Sequence, residues 1–161
     1  MNTAYLLTGG NMGDREQYLA TARELIGEDC GEISRASALY ETEAWGKTDQ
    51  PSFLNQALEL KTELNAKQLI RHILKLEKRM GRIREEKYGS RIIDIDILLF
   101  NDQVVSTPFL KVPHPEMQNR RFVLAPLAEI VPAIIHPVLK KTIADLLKDC
   151  PDKLEVKKIR D

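Results

Sequence analysis

"RIIDIDILLF", residues 91–100, has the apolar content of a buried strand, yet it carries Asp94 and Asp96 at its centre. Asp is a poor strand former, and two like charges on one strand face repel. In an extended chain, residues two apart point the same way and lie roughly 7 Å apart. Ile93, Ile95, Ile97 and Leu99 therefore occupy one face and meet the core, while Asp94 and Asp96 share the other with Leu98 and Phe100. The bland reading is a solvated face with two acids. Leu98 and Phe100 argue instead for partial cover, under which two ionised carboxylates need a cation or a shared proton. Their spacing suits oxygen-loving magnesium, including two ions sharing both carboxylates.

Working outward, the strand is one of several. An apolar strand is expected over residues 4–8, followed by the turn "GGNMG". Asp14 with Gln17 reads as a capping box for a helix. Its stripe is Tyr18, Leu19, Ala22, Leu25 and Ile26, and it ends between Gly27 and Gly31. Strands are expected over 34–41 and 53–62, with a polar loop between them. Asn65 and Gln68 form a second capping box for a helix reaching about Met80, whose stripe is Leu69, Ile70, Ile73, Leu74, Leu76 and Met80. "NDQ" turns the chain into Val104 and Val105. Helical segments follow near 122–130 and 142–149. The order β-α-β-β-α-β, with additions, points to an α+β ferredoxin-like sandwich, an antiparallel sheet flanked by helices, as a single domain over residues 1–161.

Composition agrees. The chain has 161 residues, 43% hydrophobic and 30% charged, enough for one domain with its own core. Lys plus Arg and Asp plus Glu both number 24, so no bulk charge draws it to nucleic acid or membrane. Cys30 and Cys150 form no C-x-x-C, which fits two reduced thiols in the cytoplasm. The sequence shows neither a signal-peptide pattern nor a transmembrane stretch.

A basic stretch precedes the aspartates. Lys78, Arg79, Arg82, Arg84, Lys87 and Arg91 are broken only by Glu85 and Glu86. A solvated basic loop is the ordinary explanation. Beside an Asp pair, a polyphosphate clamp explains it better, since guanidinium forks match phosphate oxygens. Acids for metal and arginines for phosphate are the parts of nucleotide phosphoryl transfer. The chain has neither G-x-x-x-x-G-K-[ST] nor G-x-G-x-x-G. Glu77 lies on the apolar side of its helix, either as a core-edge carboxylate paired with an arginine or as a ligand contact. His114 sits between two prolines. Phe53 and Asn55 share a strand face, where a ring can stack a flat heterocycle and an amide can read its edge.

These residues together resemble the 6-hydroxymethyl-7,8-dihydropterin pyrophosphokinase family. "KYGSRIIDIDIL" (87–98) fits its signature of a basic residue, Gly, Arg and Asp-apolar-Asp. "YLLTGGNMGDR" (5–15), "LYETEAWGKTDQPSFLNQAL" (39–58), "LEKRMGRIR" (76–84), "VPHPEM" (112–117) and "NRRFVLAPL" (119–127) resemble further blocks in the same order.

The resemblance implies a monofunctional enzyme of folate synthesis. It would transfer pyrophosphate from ATP to the pterin hydroxymethyl group and release AMP. It implies two magnesium ions on Asp94 and Asp96, and Arg82 and Arg91 acting on the triphosphate. Glu77, Arg84, Tyr88, Ile97 and His114 would belong to the nucleotide site. The pterin would lie between Phe53 and Phe122, with Thr42, Trp45, Asn55 and Arg120 around it. Several positions depart from the family pattern. Gly10 stands for a Ser, Glu43 and Ala44 for frequent prolines, Tyr88 for a common Trp and Ser90 for a common Pro. Leu74 and Pro115 stand where adenine-site contacts occur. The expected partners are the two small substrates, with no nucleic acid and no membrane, and with either a monomer or a weak homodimer. A competing reading is an RNA-binding module on the same scaffold, using the basic segment and exposed aromatics. The paired aspartates oppose it. A catalytically dead relative is a third reading, opposed by the intact Asp and Arg set.

Overall fold

The computed structural model describes residues 1–43, 51–81 and 92–160. The longest strands share a seam. β1 (Asn2–Gly10) pairs along its length with β4 (Phe53–Thr62), and on its other side with β5 (Asp94–Phe100). β2 (Glu32–Ala36) and β3 (Leu39–Thr42) both pair with β4, one beyond the other. β8 (Val156–Arg160) adds to the outer edge of β3. Among the described residues this makes a six-stranded antiparallel sheet in the order β5-β1-β4-β3-β8, with β2 beside β4. β6 (Val105–Ser106) and β7 (Lys111–Val112) form a separate two-stranded hairpin.

Helices cover both faces. α1 (Arg15–Asp29) and α2 (Ala66–Arg79) pack Leu19, Ala22, Ile26, Leu69, Ile73 and Leu76 against one side. α3 (Arg121–Ile130) and α4 (Ile143–Lys148) pack on the other, where Val123, Leu124, Leu127, Ile143 and Leu146 meet Tyr5, Leu7 and Ala57. The ferredoxin-like sandwich expected from the order of elements is the fold observed. No helix among the described residues is long and apolar enough to cross a membrane.

Both helix starts are capped, but the expected reciprocal box at Asp14 is only half made, because the Gln17 side chain donates to Thr21 Oγ1 at 3.2 Å instead of reaching back to the cap. Asp14 accepts the Gln17 N–H at 3.1 Å, and Asn65 with Gln68 makes the full reciprocal box. α1 ends within the expected stretch between Gly27 and Gly31, at Asp29. The helix runs through Gly27 to Asp29, because Gly27 faces solvent and costs only about 1 kcal/mol there, less than burying Ile26 and Cys30 returns. Leu74 also departs from its stripe. It is 47% exposed, on the side of α2 away from the sheet.

The strand expected over 34–41 is broken at Ser37 and Ala38. The Ser37 hydroxyl accepts the Ala57 N–H at 2.9 Å, and the Ser37 carbonyl accepts from Gln56 Nε2 at 2.8 Å. A side chain thus takes over where the backbone ladder is interrupted. Gly9 and Gly10, read as part of a turn, are the last residues of β1 and pair with Asn55 and Leu54. β8 was not foreseen. Its "VKKIR" is an edge strand whose lysines discourage further pairing, so it lacks the apolar alternation of an inner strand.

The founding stretch is also corrected. Tyr5 pairs with Leu99 but Leu6 with Ile97, so Leu98 is an extra residue, a β-bulge. Beyond it the alternation inverts. Phe100 joins Ile93, Ile95 and Ile97 on the α1/α2 face, while Leu98 and Leu99 both pack on the α3 side. Both faces of β5 are covered at that end, and Asp94 and Asp96 are left half-buried. On the outer edge of β5, the Ile95 N–H donates to Glu77 Oε2 at 2.7 Å, with Glu77 only 4% exposed.

Glu77→Ala removes the acceptor of a buried N–H and is expected to cost about 1–3 kcal/mol of stability, with Glu77→Gln costing less because its amide oxygen still accepts. Urea denaturation of the two variants checks this. Equal stability of Glu77→Ala and the parent would show that another group takes up the Ile95 N–H.

Candidate functional site

Cross-strand register gathers the polar residues of the sheet on its α3 face, at one end. Asp94 lies opposite Gly9, Gly9 opposite Asn55, and Asn55 opposite Tyr40. Thr42 pairs with Phe53, one alternation further along. Asp96 lies opposite Leu7, one alternation deeper toward the α3 core. Directly paired residues point to the same face. Hence Asp94, Asp96, Asn55, Phe53 and Thr42, five positions drawn from three strands, share one surface.

Gly9 makes that surface continuous. A Cβ there would run into the Asn55 amide and stand 3.3 Å from the Leu54 carbonyl oxygen. The Asn55 side chain instead lies across β1, and its Nδ2 donates to the Thr8 carbonyl at 3.3 Å. Sequence reading missed this role for Gly9. The available signal was a double glycine directly ahead of a helix cap, but only the pairing with Asn55 tells close approach from a turn.

Two atoms on this face are unusual. Among the described residues, Thr42 Oγ1 and Asn55 Oδ1 are buried side-chain atoms without a hydrogen-bond partner. Such atoms cost free energy and are rare unless a ligand completes them. The other end of the same face is different. Glu59 is buried there, but accepts from Tyr5 Oη at 2.8 Å and Ser34 Oγ at 2.7 Å, with Arg35 3.6 Å away. Burial alone pushes its carboxyl up. The hydrogen bonds from Ser34 and Tyr5, with the charges of Lys61 and Arg35, outweigh that and hold it below its ordinary value. That end needs no ligand.

The segment after β7 closes the site from the side. The His114 N–H donates to the Leu98 carbonyl at 2.9 Å, which fixes His114 to the bulge of β5. Its Nδ1 accepts the Glu116 N–H at 3.2 Å, so the neutral ring carries its proton on Nε2. Burial pushes the imidazole pKa below its ordinary value, and Arg120 lowers it further. Glu116 and Asp94 oppose this without reversing it. The Arg120 guanidinium stands 5.9 Å from the centre of the Phe122 ring. Phe122, at the start of α3, packs against the second core cluster.

Other expected members are placed elsewhere or lie outside the described residues. The Ile97 side chain is in the core of the opposite face, away from the carboxylates. Glu77 enters from α2 beneath the outer edge of β5, supporting the Asp-Ile-Asp backbone. Leu74 is on the solvent side of α2, and Pro115 is exposed beside His114. Trp45, Arg82, Arg84, Tyr88 and Arg91 all lie outside the described residues. Among the described residues no group of three or more His, Cys, Asp or Glu could hold a metal ion. Asp94 and Asp96 alone fit magnesium, which takes one or two carboxylates and completes its shell with water and phosphate oxygens.

A family model described as 7,8-dihydro-6-hydroxymethylpterin-pyrophosphokinase (HPPK) matches residues 5–132. A 2-amino-4-hydroxy-6-hydroxymethyldihydropteridine pyrophosphokinase from Aquifex aeolicus is 46% identical over 145 residues, 90% of each chain. The protein of that name from Bacillus subtilis is 47% identical over 130 residues, 80% of this chain and 78% of its own. The fold is similar to that in a crystal structure of wild-type Plasmodium falciparum HPPK-DHPS with SDX-DHP. That match has a TM-score of 0.75 at 22% identity, over 92% of this chain and 43% of the other. It spans less than half of that longer chain and supports the fold alone.

The His114 imidazole is expected to titrate below 6.5, read by NMR of its ring signals. The folded pKa lies below the unfolded one, so the stability His114 contributes is complete above the unfolded value of 6.5 and is lost as pH falls from there through the folded pKa. Buried His136, also lowered by burial, acts in the same sense. The urea midpoint should therefore drop between about pH 7.5 and about pH 5.5. A His114 midpoint above 6.5 would mean that Asp94 outweighs burial.

Proposed function

This chain belongs to the 7,8-dihydro-6-hydroxymethylpterin-pyrophosphokinase family, and from that premise we propose how its residues divide the work. It is an ATP-dependent pyrophosphokinase of folate synthesis. It transfers the pyrophosphoryl group of ATP to the hydroxymethyl group of 6-hydroxymethyl-7,8-dihydropterin and releases AMP. The proposed unit is a single domain over residues 1–161, acting in the cytoplasm as a monomer or weak homodimer.

The observation that carries the division of labour is the shared face of Asp94, Asp96, Asn55, Phe53 and Thr42. Asn55 Oδ1 and Thr42 Oγ1 receive the edge of the pterin, whose ring N–H and amino groups are the donors they lack. Phe53 and Phe122 stack its two faces. Asp94 and Asp96 would hold two magnesium ions. When bound, these supply positive charge to the phosphate oxygens. Arg82 and Arg91 act on the triphosphate. Arg84, Tyr88 and His114 serve the nucleotide side, and Trp45 and Arg120 serve the pterin. His114 donates from Nε2.

The hydroxymethyl oxygen attacks the β-phosphorus in line. The new bond joins that oxygen to the β-phosphorus, and the bond from the β-phosphorus to the α,β-bridging oxygen breaks. The electron pair leaves on AMP. The hydroxyl proton passes to Asp94 or to water. Positioning and charge stabilisation supply the rate.

The test is AMP formation from ATP and magnesium, dependent on added hydroxymethyl-dihydropterin. Asp96→Ala should abolish it, since one carboxylate is left to hold both ions against the triphosphate. Near-normal turnover of that variant in saturating magnesium would overturn the metal assignment.

Phe53→Ala and Phe122→Ala should each weaken pterin binding by about 1–3 kcal/mol, by analogy with base–aromatic stacking. Asn55→Ala should weaken it as well, and all three should leave the affinity for a non-hydrolysable ATP analogue unchanged. Calorimetric titration with each ligand reads this out. Loss of the nucleotide with retention of the pterin would mean that the two substrates are placed the wrong way round.

A further inference from the structure

The Thr42–Phe53 pair is the last rung of the β3–β4 ladder, and the chain between these two residues returns from one strand to the other. Both sides of this return are tied to the start of α1, from the opposite layer of the molecule. Arg15, the first residue of α1, sends Nη1 to the Ser52 carbonyl at 2.9 Å. The same nitrogen lies 2.7 Å from Glu41 Oε2. Ser52 immediately precedes Phe53, and Glu41 immediately precedes Thr42. Beside them Asn11, 1% exposed at the end of β1, donates from Nδ2 to the Pro51 carbonyl at 3.1 Å.

Strand neighbours point to opposite faces, so Glu41 faces α1 while Thr42 faces the site. Arg15 therefore reaches the backs of the residues that line the site and stays out of the site itself. The ion pair is about one-third exposed on each side, and pairs of that kind add little to global stability. What a planar guanidinium does supply is fixed geometry, since the two N–H bonds of one Nη1 point in set directions. A terminal rung has no further rung to hold it, and a carbonyl at that point has no ladder partner. Arg15 provides the Ser52 carbonyl with a donor and holds it at a set distance from Glu41.

We propose that Arg15 is a positioning residue for the pterin pocket, strapping Ser52 to Glu41 so that Thr42 and Phe53 are held in register before the ligand arrives. This rests on the functional reading above. Preorganisation lowers the entropy that the ligand must otherwise spend on ordering its site. The carboxylates sit on β5, two strands away across β1 and β4, and the strap does not touch them.

The test compares wild type, Arg15→Ala, Arg15→Lys and Glu41→Gln by steady-state kinetics, calorimetric pterin binding and thermal melting. Arg15→Ala should raise the pterin KM and Kd about tenfold, with kcat and the ATP KM within about twofold of wild type and little change in Tm. Glu41→Gln should follow in the same direction with a smaller effect. Arg15→Lys, which keeps the charge but not the planar guanidinium, should recover part of the affinity. Unchanged pterin affinity in Arg15→Ala overturns the proposal. So does a parallel loss of kcat and ATP affinity with a fall in Tm, since that marks general destabilisation. A wild-type protein that binds no pterin overturns the functional reading itself, whereas pterin bound equally by wild type and Arg15→Ala overturns the strap alone.

Discussion

The hydrogen bond from the Ile95 N–H to Glu77 holds the edge of the sheet that carries the paired aspartates. β5 is an outer strand, so every second N–H on its free side needs a partner other than a neighbouring strand. A buried carboxylate from α2 supplies one between the two aspartates. The strand cannot slide or twist away without stranding both the N–H and the acid. The isoleucines below it and the leucines above it then anchor the same short segment in both cores. Two acids that would otherwise be poor strand residues are thereby held at a set spacing on a rigid element.

The same sheet manages polar groups in opposite ways at its two ends. Around Glu59, a tyrosine, a serine and an arginine answer the buried acid from within the chain. Around Asn55 the described residues leave Oδ1 unanswered, and Thr42 Oγ1 with it. Burial is similar, so the difference is one of completion. A protein gains nothing in stability from an incomplete buried acceptor. Such a group is what a ligand with a donor could complete, and the glycine at position 9 leaves the room in which the Asn55 amide lies across β1.

His114 joins this surface to the helix beyond it. Its backbone grips the β5 bulge, its ring pKa is held below the ordinary value by burial and by Arg120, and Arg120 in turn stands by Phe122. Side chains from a strand, a connection and a helix start thus meet at one end of the sheet. A formal net charge of zero hides this local concentration, which is why composition excluded bulk attraction to polyanions without excluding a phosphate site.

Much of this was legible in the sequence. Alternation over 53–62, two helix caps built on Asp14 and Asn65, and an apolar strand carrying a DxD pair were enough for the order of elements and to single out the residues proposed for the chemistry. Local rules read these because each depends on neighbours within a few residues. The rest depends on contacts between segments far apart in the chain. The bulge at Leu98 exists only against β1, and it moved Phe100 and Leu99 to the faces opposite those expected. Gly9 reads as a turn until Asn55 is laid across it. The "VKKIR" edge becomes a strand only because β3 offers it a partner. Glu77 stood between two readings, and a backbone N–H eighteen residues away decided its structural part. Sequence by itself determined which residues can form strands, cap helices and carry charge, because those are properties of side chains and short-range backbone geometry. Tertiary structure alone decided which of them face one another, because register, bulges and the satisfaction of buried polar groups are settled only when distant strands pair.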